Sequence, residues 1–272
     1  MINEPQLTYL LELLNALGEM SDNFVLAGAR AIGFNVNQAR HTKDFDFILN
    51  VVVLSKSSAS ISKILSNLGY KHDEASKYFQ FTKIIPGSDE PMRIEFMASD
   101  IGVKPKEIRV NVQEKIHAHA CTGAEIALQE SHVKILEGHL PDGETVKTSI
   151  RVVKPNALLM LKLFAMDDRF KNIRGPREFR HDRDEARIHS SDIVTLVRYN
   201  IQKPDFNNLF WSQFKERESL KNRISDIISG YFKELNNPGI QLYREFLLEQ
   251  TGVIDETEIN RALREINILK EN

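Results

Sequence analysis

Two aspartates separated by one residue, Asp44-Phe45-Asp46, stand at the head of an apolar run. In a strand, residues i and i+2 point to the same face, so the spacing sets two carboxylates side by side. Such a pair repels itself unless a cation sits between its members. Mg²⁺ is a hard cation that takes carboxylate oxygens together with substrate phosphates. The pattern therefore implies metal-assisted phosphoryl or nucleotidyl transfer. Two-metal transfer of this kind generally needs a further carboxylate. Glu95, in Met92-Arg93-Ile94-Glu95-Phe96-Met97, is the best candidate. It interrupts a strand pattern that sets Arg93, Glu95 and Met97 on one face and Ile94 and Phe96 on the other. The alternative is that Glu95 pairs with Arg93 or Lys83 at a sheet edge. Gly28-Ala29 is a small-residue turn after the apolar run Phe24–Leu26. Such a turn lets backbone N–H groups approach a phosphate, above all where a helix begins.

These groups need elements to hold them. Leu7, Leu10, Leu11, Leu14 and Leu17 recur at helical spacing over residues 5–20, an amphipathic helix rather than a signal peptide. Residues 30–38 follow the Gly28 turn as a helix. Asp44 to Leu54 reads as one continuous strand. Residues 57–68 give a helix through Ile61, Ile64, Leu65 and Leu68, with Gly69 as its C-cap. Strands follow at 78–85 and 92–98, divided by the turn residues 86–91. Weaker strand patterns lie at 107–113, 132–136 and 148–153, with a hairpin turn at 141–143. Pro155 opens a helix, and the pattern is helical almost to the end.

Composition bounds the answer. The 272 residues are 42% hydrophobic and 27% charged, which fits a soluble globular protein of two domains. No apolar run approaches the ~20 residues that span a bilayer, so no membrane partner is expected. The single cysteine, Cys121, rules out an internal disulfide and fits a reducing cytoplasm. The net charge of −2 means that any nucleic-acid surface must be a local patch. One such patch is Arg169–Arg187, where seven Lys/Arg against four acids leave +3. It is either a guide for RNA or a nucleotide tail, or a connector whose charges pair among themselves. His117, His119 and Cys121 alternate onto one side of a strand, but no second ligand pair accompanies them. Phosphate-binding loops of the GxxxxGK[ST] and GxGxxG types, and the GxSxG elbow, do not occur.

The joint spacing carries a resemblance. Gly28-Ala29-Arg30-Ala31-Ile32, a spacer, and Arg40-His41-Thr42-Lys43-Asp44-Phe45-Asp46 resemble motif I of the nucleotidyltransferase superfamily typified by DNA polymerase β. They look most like the branch of the AbiEii toxins of abortive-infection and toxin–antitoxin systems. That branch writes the motif as G-[GS]-x-A-L, a spacer, then R-x-[ST]-x-D-[IL]-D. The likeness continues more loosely at 151–196, through Lys162, Asp167-Asp168-Arg169 and Arg187-x-His189-x-x-Asp192-Ile193.

The resemblance implies an α/β (α+β) fold. A nucleotidyltransferase-like mixed sheet flanked by helices, residues 1–153, would precede an all-helical domain, 154–272. It implies that Asp44, Asp46 and Glu95 are catalytic and hold Mg²⁺, two ions by the superfamily's pattern. Gly28, Ala29, Arg30, Thr42 and Lys162 would hold the nucleotide. The alternative for Lys162, inside an apolar run, is that it snorkels to solvent or pairs with Asp192. The implied reaction moves a nucleoside monophosphate from a nucleoside triphosphate to an acceptor hydroxyl, with RNA or a tRNA end as acceptor and an antitoxin protein as partner. Ala29 stands where the family has Ser or Gly, and Glu95 where Asp is usual. These departures keep open a catalytically silent nucleotide- or RNA-binding module, and the antibiotic-modifying relatives of the superfamily keep open a small-molecule nucleotidyltransferase.

Overall fold

A computed structural model describes residues 4–36, 42, 44–72, 78–88, 90–103, 108–171 and 179–269. The chain divides into two compact units, Met1–Lys154 and Pro155–Asn272.

The first unit is organised by alternation in its central strands. β2 (Asp44–Leu49) buries Phe45 and Phe47 completely, while Asp44 and Asp46, which alternate with them, stay partly open. β5 (Met92–Ser99) repeats the pattern, with Ile94 and Phe96 fully buried and Arg93, Glu95 and Met97 on the other side. Because the period is two, anchoring the phenylalanines in the core fixes the carboxylates on the opposite face. Phe24 on β1 (Phe24–Leu26) meets the edges of Phe47 and Phe96, with centroids 6.0 and 5.8 Å apart. Each such pair adds about 0.5–1.5 kcal/mol beyond its buried area.

Among the described residues the sheet has nine strands, more than the sequence pattern marks. Its main path runs β3 (Lys71–His72), β4 (Gln80–Lys83), β5, β2, β1, β9 (Thr145–Val153), β8 (Ser131–His139). β5 and β2 are parallel; β4 is antiparallel to β5, and β1 to β2. Further along the edge of β5 that β4 occupies, β7 (Ile116–Cys121) pairs in parallel, and β6 (Arg109–Gln113) pairs with β7. Helix α1 (Gln6–Leu17) buries Leu10, Leu11, Leu14 and Leu17, as its periodicity requires. In α4 (Ile61–Asn67) the Ser60 hydroxyl caps the N-terminus by accepting from the Lys63 N–H, and Gly69 takes the left-handed conformation after the C-terminus. A short helix α5 (Ala124–Gln129) precedes β8.

One expectation is corrected. The strand from Asp44 ends at Leu49, and Val51–Leu54 forms a short helix, α3, that exposes Val52 and Val53. The neighbouring strand β1 begins at Phe24, opposite Leu49, and the Asn50 N–H to Asn23 O bond closes the ladder. Beyond it the β-prone valines have no strand on that side to pair with, so tertiary context overrides propensity.

The second unit contains, among the described residues, helices α6 (Pro155–Lys171), α7 (Phe179–Asn200), α8 (Phe206–Ser212), α9 (Glu218–Phe232), α10 (Pro238–Thr251) and α11 (Glu256–Ile266). Pro155 occupies the first position of α6, where its missing N–H costs nothing. The fold is thus mixed α/β followed by an all-helical region. No helix among the described residues is long and apolar enough to cross a membrane.

Candidate active site

The three carboxylates share one face of two adjacent parallel strands. Asp46 is in register with Glu95, and Asp44 with Arg93. Paired strands lie about 4.8 Å apart, and residues in register share a face. Asp44, Asp46 and Glu95 therefore occupy one patch of the sheet.

Their neighbours orient them. The Thr42 hydroxyl accepts from the Asp44 N–H at 3.4 Å, tying the incoming loop to the strand. Arg93 Nη1 lies 3.8 Å from Asp44 Oδ2, with both side chains about half exposed. On the far side of β5, Gln80 is in register with Glu95, and its Nε2 donates to Glu95 Oε2 at 2.8 Å. No signal in the sequence marks Gln80; only the register of β4 brings it here. The Glu95 carboxylate thus takes a hydrogen bond from Gln80, rather than standing as the edge partner of Lys83. The Lys83 ammonium is engaged by Glu12 and lies over the Tyr9 ring.

Gly28 completes the patch. The Ala27 N–H donates to Asp46 O at 2.8 Å, which carries the β1–β2 ladder up to the turn. Gly28 then adopts φ +61° and opens α2 (Gly28–Asn35). A Cβ on residue 28 would lie 1.7 Å from Asp46 Oδ2 and 2.7 Å from its Cγ. Only glycine allows the start of α2 to lie against that carboxylate. The first N–H groups of a helix have no partner within it, so α2 turns backbone donors towards this corner of the sheet.

Two other predicted residues have partners of their own. The Arg30 side chain is turned inward: it is 6% exposed, its Nη2 donates to Gln6 Oε1 at 3.0 Å, and its guanidinium lies 5.0 Å from the Phe45 ring centroid. Burial lowers its pKa, and the charge of Asp44 opposes that shift. The Lys162 ammonium is paired with Asp192 Oδ2 at 2.7 Å, both side chains buried between α6 and α7. Of the basic segment, Arg169, Lys171, Arg183 and Arg187 each form ion pairs, with Asp182, Asp167, Glu245 and Asp184 respectively. Arg40, His41, Lys43, Arg174 and Arg177 lie outside the described residues.

The donor set is all carboxylate oxygen, the chemistry a hard divalent cation takes. Among the described residues no group of three or more His, Cys, Asp and Glu side chains is arranged to hold a metal ion. A Mg²⁺ site does not require such a group, because that ion is commonly held by one or two carboxylates together with substrate phosphates and water. An open carboxylate face beside a helix N-terminus matches that pattern.

The family model described as nucleotidyl transferase AbiEii toxin, type IV TA system, matches residues 10–266. The chain belongs to this family. No curated protein matches it, and no solved structure does. The match spans both compact units and agrees with the fold. The AbiEii family is one of nucleotidyltransferase toxins, and this chain is accordingly a nucleotidyltransferase of toxin–antitoxin type.

Proposed function

We propose that this AbiEii-family enzyme transfers a nucleoside monophosphate from a nucleoside triphosphate to a hydroxyl of RNA, a tRNA end being the favoured acceptor. The observation that carries the reading is the Asp46–Glu95 register, which joins the aspartate pair to a further carboxylate on one sheet face. Asp44, Asp46 and Glu95 would hold Mg²⁺. When bound, the ion neutralises phosphate charge and lowers the pKa of the attacking hydroxyl.

This chain's residues then have distinct tasks. Gly28 and Ala29 offer backbone N–H groups to the triphosphate. Thr42 and Arg93 set the position of Asp44. Gln80 holds Glu95, which accepts the proton of the acceptor hydroxyl as its oxygen attacks the α-phosphate. The α-phosphate–oxygen bridge breaks and pyrophosphate leaves. Lys162, paired with Asp192, and Arg30, paired with Gln6, serve here as structural cations. The reaction belongs in the cytoplasm, where RNA and nucleotides are found, and an antitoxin encoded alongside would restrain it.

Incubation with Mg²⁺, each labelled nucleoside triphosphate in turn and total cellular RNA is the test, with Asp44→Asn/Asp46→Asn protein alongside. Label should move onto RNA only with the intact carboxylates. Transfer that survives the double substitution would remove these residues from the mechanism. Transfer only to a small molecule would redirect the acceptor assignment.

A further inference from the structure

The sheet ends in a long strand, β8, which follows β9 at the end of the strand order. Its nine residues, Ser131–His139, pair with β9 at nine successive positions without a bulge. Most strands are shorter, about five or six residues. Among the described residues no strand pairs with the other edge of β8, and its backbone makes no hydrogen bond outside the hairpin. A row of outward N–H and C=O groups of this length is a template for a further strand.

Sheets commonly protect such an edge with a proline, a bulge or a very short strand. β8 has none of these. One of its faces lies on α1: a Cβ on Gly138 would come 2.8 Å from Leu11 Cδ1 and 3.5 Å from Leu7 Cδ2. Val133 and Ile135, which alternate with that face, point the other way. Each is 59% exposed. Two β-branched residues thus sit at the middle of an open edge, where they are suited to cross-strand packing.

The residues of β8 identify what pairs with it. Two copies of one strand related by a two-fold axis set residue i opposite residue j and j opposite i. Centring the axis on Ile135, the middle residue, keeps all nine positions paired. Ile135 then meets its own copy, Val133 meets Glu137, Lys134 meets Leu136, and the histidines meet Ser131 and Gly138. No charge faces its like. Centring on Lys134 would oppose two lysines, and centring on Glu137 two glutamates. Centring on Leu136 would set Ile135 against Glu137 and give up two of the nine positions. In the Ile135 register, Val133 and Ile135 of both copies form one apolar strip along the new seam. We infer that β8 pairs antiparallel with β8 of a second copy of this chain, centred on Ile135, to make a two-fold dimer with a continuous sheet.

Sedimentation velocity of the full chain over a concentration series tests this, and it needs neither nucleotide nor metal. The wild type should sediment as a dimer that dissociates on dilution. Ile135→Lys sets two ammonium groups against each other across the axis and should raise the dimer Kd at least roughly tenfold. Ile135→Glu should do the same. An equal mixture of the two variants should dimerise again, because each lysine then faces a glutamate, and that recovery excludes misfolding as the cause of dissociation. Val133→Lys, which faces Glu137, should not raise the Kd. A wild type that stays monomeric throughout would overturn the inference and leave this edge to a different partner. A dimer that survives Ile135→Lys would overturn it by placing the contact elsewhere. Failure of the mixture to recover, or equal weakening by Val133→Lys, would overturn the register.

Discussion

The Asp46 carboxylate fills the space that any side chain on residue 28 would need, with Oδ2 1.7 Å from where a Cβ would be. Gly28 and Asp46 therefore form one unit, the turn shaped to the carboxylate. Gly28→Ala must displace either the start of α2 or Asp46, and it also places a Cβ at φ +61°. Substitution at such a backbone position destabilises by more than about 1 kcal/mol. We expect a lower thermal midpoint together with loss of nucleotidyl transfer. A variant that kept wild-type transfer would show that this contact is dispensable.

Glu95 separates charge from shape. Glu95→Gln keeps the length of the side chain and an oxygen able to accept from Gln80 Nε2, but it removes the anion. Loss of a charge aimed at a reacting centre costs roughly a hundredfold or more in rate. Transfer should fall by at least that factor, while the thermal midpoint stays close to wild type. A drop of less than tenfold in single-turnover assays would assign Glu95 to sheet packing.

Much of this patch was legible in the chain because alternation is local. Phe45 and Phe47 declare which face of β2 is buried, and that alone turns Asp44 and Asp46 together. The same holds for Ile94 and Phe96 around Glu95. The register that sets Glu95 opposite Asp46, and Gln80 opposite Glu95, joins segments far apart in sequence and has no local signature. The end of β2 has no local signature for the same reason: Val51, Val52 and Val53 favour a strand, but where β1 starts decides where pairing stops. Arg30 sits in a motif whose small residues imply an open turn, yet its side chain reaches back to Gln6 on α1, a contact that no spacing announces.

The buried Lys162–Asp192 pair predicts an asymmetric response to substitution. Lys162→Met would leave the Asp192 carboxylate, 4% exposed, without its cation. Breaking one side of a buried pair costs about 3–5 kcal/mol, whereas replacing both partners by apolar residues of similar volume is often neutral. Lys162→Met should therefore lower stability sharply, and Lys162→Met/Asp192→Leu should recover most of it. Urea denaturation of the three proteins checks this. Equal stability of both variants would show that the pair does not act as a unit. Transfer by the recovered double variant would place Lys162 among the structural cations, and its absence would return Lys162 to the nucleotide.

Asp167 gives stability a specific pH dependence. Its carboxylate is 1% exposed, and burial alone would raise its pKa. Hydrogen bonds from Lys171, Tyr231 and Arg223 outweigh burial and hold it below its ordinary value of 3.8. Tyr231 Oη donates at 2.9 Å and Arg223 Nη2 at 3.2 Å, joining α6 to α9. A group with a depressed folded pKa contributes stability above its unfolded pKa and loses it as pH falls through the folded one. The contribution should thus be complete at neutral pH and decline below about pH 4. Asp167→Asn should be less stable than wild type at pH 7, and the difference should shrink as the medium is acidified through that window. Thermal midpoints of both proteins from pH 7 down to pH 3 measure it. A gap that stays constant across the range would mean that Asp167 acts through shape and hydrogen bonding without a shifted ionisation.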